Sequence, residues 1–86
     1  MSRDPSLNGM IYFEAVARHG KVARAAEELN VSPSAVSQQV KLLEEMLGVA
    51  LFKRDKRQLS LTLEGERLFM ASSSAFGILK NARRVI

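Results

Sequence analysis

The sequence predicts a mainly helical domain: a three-helix body whose second and third helices form a helix-turn-helix, a short β-hairpin wing, and a long final helix. Three observations predict it. Between Val22 and Lys41, two stretches of helical periodicity are separated by only Asn30, Val31 and Ser32. From Leu51 to Leu61 the pattern shifts towards alternation, and from Thr62 onward apolar residues again recur every three or four positions to the end.

Leu7, Met10, Phe13, Val16 and Ala17 place one apolar face on a first helix from about Ser6 to Arg18, closed by Gly20. Ser6 or Asn8 can cap it. Glu14 and Arg18 are spaced for an i, i+4 pair on its exposed side, and Phe13 is expected near the centre of the core. His19 falls at its C-terminal end, where the helix dipole favours a cation.

In the second helix, Ala25 and Ala26 are small where another helix must approach closely, and Leu29 follows one turn later. Asn30 tolerates the left-handed backbone that reverses the chain without glycine. Ser32 is a good N-cap for the third helix, and Pro33 suits its first position. Along that helix Val36, Val40, Leu43 and Leu47 share one face, whereas Ser34, Ser37, Gln38 and Lys41 share the other. The second row is a set of hydrogen-bonding groups ending in a cation, the readable outer face of a helix-turn-helix. Gly48 supplies the C-terminal stop. Leu42 and Met46 lie off the core row and are expected to pack on neighbouring loops.

Phe52, Leu59 and Leu61, with polar residues between, read as two short strands around Asp55 to Arg57. Four of the thirteen basic residues, Lys53, Arg54, Lys56 and Arg57, fall within this hairpin. Their position directly after a helix-turn-helix points to phosphate or minor-groove contact. Thr62 caps the last helix, with Glu64 and Glu66 in its first turn, where the dipole favours negative charge. Leu68, Ala71, Ala75, Ile78, Ala82 and Val85 hold the a and d positions of a heptad, flanked by Phe69, Phe76, Leu79 and Ile86. So wide an apolar face implies two partners, the domain body and the same helix of a second chain.

Composition excludes several classes. The 86 residues make one small domain, 47% hydrophobic, with no apolar run near the roughly 18 residues of a membrane span. The absence of cysteine excludes disulfides and thiolate metal sites and fits a reducing cytoplasm. A net charge of +4 and a pI near 10.0 favour a polyanionic partner. There is no nucleophile–base set, no Gly-rich phosphate loop and no His/Cys metal spacing, and adjacent pairs such as Glu27–Glu28 and Glu44–Glu45 point in different directions on a helix. No enzyme, cofactor or metal site is expected.

With these pieces placed, the chain resembles the N-terminal DNA-binding domain of LysR-type transcriptional regulators. The resemblance covers nearly all of it and rests on Phe13 to Gly20, Arg24-Ala25-Ala26, Leu29-x-Val31-Ser32, Ala35-Val36-Ser37-x-Gln39-Val40, Leu43-Glu44-x-x-Leu47-Gly48-Val49-x-Leu51-Phe52-x-Arg54 and Leu61-Thr62-x-x-Gly65. It implies a winged helix-turn-helix over residues 1–61 and a linker helix over 62–86 through which a homodimer forms on an interrupted palindrome of double-stranded DNA. By the same resemblance Pro33, Ser34, Ser37 and Gln38 reach base edges and Arg57 is the wing arginine. Arg24, Lys53, Arg54 and Lys56 would add phosphate contacts, with Ser32 and Lys41 at the two ends of the outer face. The chain departs from the family in having Pro33-Ser34 where Gln-Pro is frequent and Gln38 where Arg is frequent, and Gln prefers adenine whereas Arg prefers guanine. Lys21 stands where a serine often caps the second helix, which leaves the cap to Gly20. Family members usually continue into an effector-binding domain, so the chain reads as a fragment, with small-molecule sensing in the missing part. The competing reading is a helical protein–protein interaction module built on residues 62–86.

Overall fold

The structure, a computed structural model, describes residues 7–55 and 58–86. Its elements are α1 (Leu7–His19), α2 (Val22–Leu29), α3 (Pro33–Leu47), β1 (Phe52–Asp55), β2 (Gln58–Leu61) and α4 (Leu63–Val85). This is the predicted order: three helices, a hairpin and a long helix. Helix α1 packs against α2, α3 and α4. Asn8 lies inside α1 and so cannot cap it, and Ser6 lies outside the described residues.

Local chemistry sets the helix-turn-helix. Ala25 and Ala26 are buried, so α2 meets its neighbours at backbone distance. Asn30 takes φ 60° and ψ 45°, and the N–H of Val31 then bonds the carbonyl of Ala26 at 3.1 Å. That turn carries Val31 back against the core. Ser32 Oγ accepts the N–H of Ala35 at 3.1 Å with Pro33 at the first helical turn, as the sequence predicts. Helix α2 starts differently from expectation. Lys21, not Gly20, holds the N-cap position, in extended conformation and with no side-chain hydrogen bond. An N-cap needs an extended backbone, and a residue without a side-chain acceptor can provide that while leaving an N–H to solvent.

The core forms two clusters. Ala15, Val16, Ala25, Ala26, Val36 and Val40 make one, and Phe13, Leu43 and Leu51 the other. Phe52 touches both, and its ring lies 5.3 Å from that of Phe13 at 51°. The predicted apolar row of α3 holds for Val36, Val40 and Leu43 and fails at Leu47, which is 37% exposed. No described loop covers Leu42 and Met46. They are exposed at 50% and 38% and line a groove with Gly9 of α1 and Gln39.

After Gly48, whose φ of 74° turns the chain off α3, residues 50–52 lead into an antiparallel hairpin with Phe52 opposite Leu61 and Lys53 opposite Ser60. Helix α4 leaves from Thr62, whose Oγ1 accepts the N–H of Gly65 at 3.0 Å and donates to the carbonyl of Ala50 at 2.7 Å. Ser72 to Ser74 and Gly77 do not break it, and the Ser72 hydroxyl donates back to the Leu68 carbonyl. Gly65 lies against the strand leading into the wing. A Cβ there would stand 2.0 Å from the Leu51 carbonyl oxygen, a backbone atom that cannot step aside alone.

A charged network fixes α1 on α2. Arg18 donates to Glu14 at 2.9 Å and 3.0 Å and to Glu28 at 2.7 Å and 2.8 Å, and His19 Nε2 lies 2.6 Å from Glu28 Oε1. The predicted Glu14–Arg18 pair is present, but Glu14 is only 8% exposed rather than on an open face. Glu14 lies at the wall of a cleft that α1 and Glu28 share with Ser73, Phe76 and Lys80 of α4. Hydrogen bonds from Arg18 first, then His19, lower Glu28 from 4.5 to about 2, and those to Glu28 first, then Glu14, raise Arg18 above its ordinary value.

Two outcomes are expected. Gly65→Ala should destabilise the chain by roughly 1–3 kcal/mol in urea unfolding, since the Cβ must displace backbone, and an unchanged midpoint would contradict the close approach. Because the folded Glu28 pKa is depressed, its contribution is complete above about 4.5 and lost as pH falls towards about 2. Glu28→Gln should therefore flatten the acid limb of stability over that window, whereas parallel profiles for the two proteins would remove this network from the account.

Candidate nucleic-acid interface

Helix α3 presents two unlike faces. Val36 and Val40 insert into the first core cluster and Leu43 into the second. Ser34, Ser37, Gln38 and Lys41 are all exposed on the other side, so the structure brings together the row that the sequence singled out. Ser32 and Pro33 are exposed at its start, and Ser32 Oγ also lies 3.3 Å from Ser34 Oγ. The N-terminal end of α3 therefore places the positive end of the helix dipole beside a run of hydroxyls, a combination that suits an anion.

The wing begins beside this face. A cleft of about 360 Å³ separates the two, with Ser37, Lys41 and Glu44 on the α3 side, Phe52 and Leu59 on the wing side, and Val16, Val22 and Val40 among its walls. Lys53 is exposed on β1, and Arg24 is exposed on α2. No described residue forms an ion pair with Arg24, Lys41 or Lys53. Lys56 and Arg57 lie outside the described residues, as does the side chain of Arg54.

Sequence reasoning missed one residue of this region, Glu44. A single carboxylate oxygen, Oε2, accepts the N–H of Leu51 at 2.8 Å and that of Phe52 at 3.2 Å. Helix α3 thus grips the base of the wing. The only signal was a carboxylate one turn before a helix end followed by a short link, too common to single out. Its neighbour Glu45 is exposed and makes no comparable bond among the described residues.

Helix α4 divides the predicted dimer row. Leu68, with Phe69, packs on the Phe13, Leu43 and Leu51 cluster, so this chain's own core takes it. Ala71, Ala75, Ile78, Leu79, Ala82 and Val85 are exposed, with Ile78 at 66% and Val85 at 86%. No helix is long and apolar enough to cross a membrane among the described residues, and none of their acidic and histidine side chains cluster for a metal.

A helix-turn-helix followed by a hairpin and a long helix can be compared directly with known proteins. The model of the family described as "Bacterial regulatory helix-turn-helix protein, lysR family" matches residues 7–66. The chain belongs to this lysR family. The transcriptional regulator TrpI of Pseudomonas aeruginosa is 54% identical over 81 residues, which cover 93% of this chain and 28% of that protein. Among solved structures, the BenM_DBD/catB site 1 DNA complex superposes with a TM-score of 0.83 at 26% identity, covering 93% of this chain and 89% of that one. The CbnR_DBD–DNA complex gives 0.78 at 30% identity, covering 92% and 91%. The chain spans little more than a quarter of the length of the curated relatives it matches. A transcriptional regulator's helix-turn-helix domain, rather than an enzyme, is what these likenesses describe.

Proposed function

We propose that the chain binds double-stranded DNA sequence-specifically, as a homodimer, and so places a bacterial transcriptional regulator on its promoter. The observation that carries this reading is the exposed row Ser34, Ser37, Gln38 and Lys41, held rigidly because Val36, Val40 and Leu43 on the reverse of the same helix are buried. An α-helix fits the major groove, and a rigid one can hold side chains against base edges. Gln38 offers the donor and acceptor needed for a bidentate contact to adenine, and Pro33, Ser34 and Ser37 approach neighbouring bases. Arg24, Lys53, Arg54 and Lys56 meet phosphates, and Arg57 reaches the minor groove. Two of the similar structures are DNA complexes of domains of this size, which supports the same use of the fold here.

The dimer is supported by Ile78, Leu79 and Val85, large apolar side chains that one copy leaves in water on α4. Ala71, Ala75 and Ala82 between them would let a second helix come close. On this reading residues 1–61 contact the operator, residues 62–86 pair the copies, and any small-molecule effector is sensed beyond the stretch shared with longer relatives.

Site selection from random duplexes followed by titration tests the assignment. Gln38→Ala should cost about 1–3 kcal/mol on the selected site and little on random DNA. Equal losses on both would take Gln38 out of base recognition. In sedimentation, Ile78→Asp with Val85→Asp should convert a dimer to a monomer, because each charge would be desolvated at the pairing helix. A wild-type chain that sediments as a monomer, or a variant that remains dimeric, would reject α4 as the pairing surface.

A further inference from the structure

We propose that Glu44 is a positioning residue for DNA recognition, fixing the wing at a set height beside the outer face of α3. The inference rests on the DNA-binding reading above and extends it to a residue that need not touch DNA. Glu44 lies on α3 one turn beyond Lys41 and lines the same cleft as Ser37, Lys41, Phe52 and Leu59. Its Oε2 receives two consecutive backbone N–H groups, Leu51 at 2.8 Å and Phe52 at 3.2 Å, and Phe52 is the first residue of β1. The bond therefore runs from the helix that carries the reading row to the root of the strand that carries Lys53 and leads to Arg57.

The opposite side of this segment is held separately. Thr62 donates its N–H to the Leu51 carbonyl at 3.0 Å and its hydroxyl to the Ala50 carbonyl at 2.7 Å. These bonds fix residues 50 and 51 to the start of α4 and do not reach α3. Glu44 is the hydrogen-bonded tie between the reading helix and the wing among the described residues. Without it the hairpin keeps its own ladder, its link to α4 and the packing of Phe52 at its root, but loses the bond that sets its height relative to Ser37 and Lys41.

Charge and position make opposite forecasts, which gives the test its sign. Glu44 is an anion beside a surface proposed to meet phosphates, so its charge alone opposes binding, and removing it should tighten binding in both Glu44→Ala and Glu44→Gln. A positioning role requires only the acceptor oxygen. Since one oxygen takes both bonds, the amide oxygen of Gln can replace it.

Wild type, Glu44→Ala and Glu44→Gln, each with and without Arg57→Ala, would be titrated in the 86-residue chain against a selected duplex and a random one, with helix content and thermal midpoint recorded. Glu44→Ala should weaken the selected site by about tenfold, the size of one lost groove contact. Arg57→Ala should add little in that background, because the two changes remove the same wing contact. Glu44→Gln should bind at least as well as wild type and retain the full Arg57→Ala penalty. Should Glu44→Ala prove poorly folded, Glu44→Asp takes its place, since it keeps the charge but withdraws the acceptor from Leu51 and Phe52: it should weaken the selected site and lose most of its Arg57→Ala penalty, and wild-type binding there, or a tenfold loss in Glu44→Gln, overturns the proposal. Unchanged or tighter binding by a folded Glu44→Ala, or additive losses with Arg57→Ala, also overturn it while leaving DNA binding intact. A wild-type chain that binds neither duplex removes the DNA-binding reading itself, and the positioning role with it.

Discussion

The peptide groups of Leu51 tie together the parts of this molecule that come from distant stretches of sequence. Its N–H goes to Glu44 on α3 and its carbonyl to the N–H of Thr62 at the start of α4, while its side chain is buried with Phe13 and Leu43. A buried backbone polar group left without a partner costs about 1–3 kcal/mol, so both bonds are constraints rather than ornaments. Gly65 belongs to the same constraint. It has no Cβ where the Leu51 carbonyl passes, and that absence lets the first turn of α4 lie directly on the segment entering the wing.

From that point the helix-turn-helix and the wing become one body. Phe52, next in the chain, contacts both core clusters and the ring of Phe13, so the wing's root is packed as well as hydrogen-bonded. On the far side of the body, Arg18 joins Glu14 on its own helix to Glu28 on α2. Arg18 is about half exposed and Glu28 similarly so, so this network adds less stability than the core, and its use is to orient α1 against α2. A small domain can therefore hold α3 firmly from behind while leaving its outer face entirely to solvent.

How much of this was legible follows from the distance over which each feature is decided. Asn30, Ser32, Gly48 and Thr62 set turns and caps through bonds to residues within four positions, so their roles could be read in order along the chain. The outer row of α3 was legible for the same reason, because helical spacing alone decides which residues share a face. Glu44 and the Arg18–Glu28 bond span seven to ten residues and need the fold before they exist. Leu42, Met46 and Leu47 show the reverse difficulty: apolar residues need not be covered, and periodicity alone does not tell which of them the fold leaves exposed. Along α4, periodicity identified an apolar stripe but not its owner, and Leu68 went to the chain's own core.

That division of α4 bears on how selectivity would arise. The row from Ser34 to Lys41 offers one side chain capable of a bidentate base contact, and such a contact discriminates by about 1–3 kcal/mol. A specific site must exceed non-specific binding by roughly 4–10 kcal/mol. One copy with one such residue falls short of that even with the serines added. Two copies held at a fixed separation double the base-reading term, and a wing held at fixed height adds contacts that depend on groove shape. The rigid links at Leu51 and the unpaired apolar face of α4 thus address the same deficit. The first fixes the wing relative to the reading helix within a copy, and on the proposed dimer the second fixes one reading helix relative to the other.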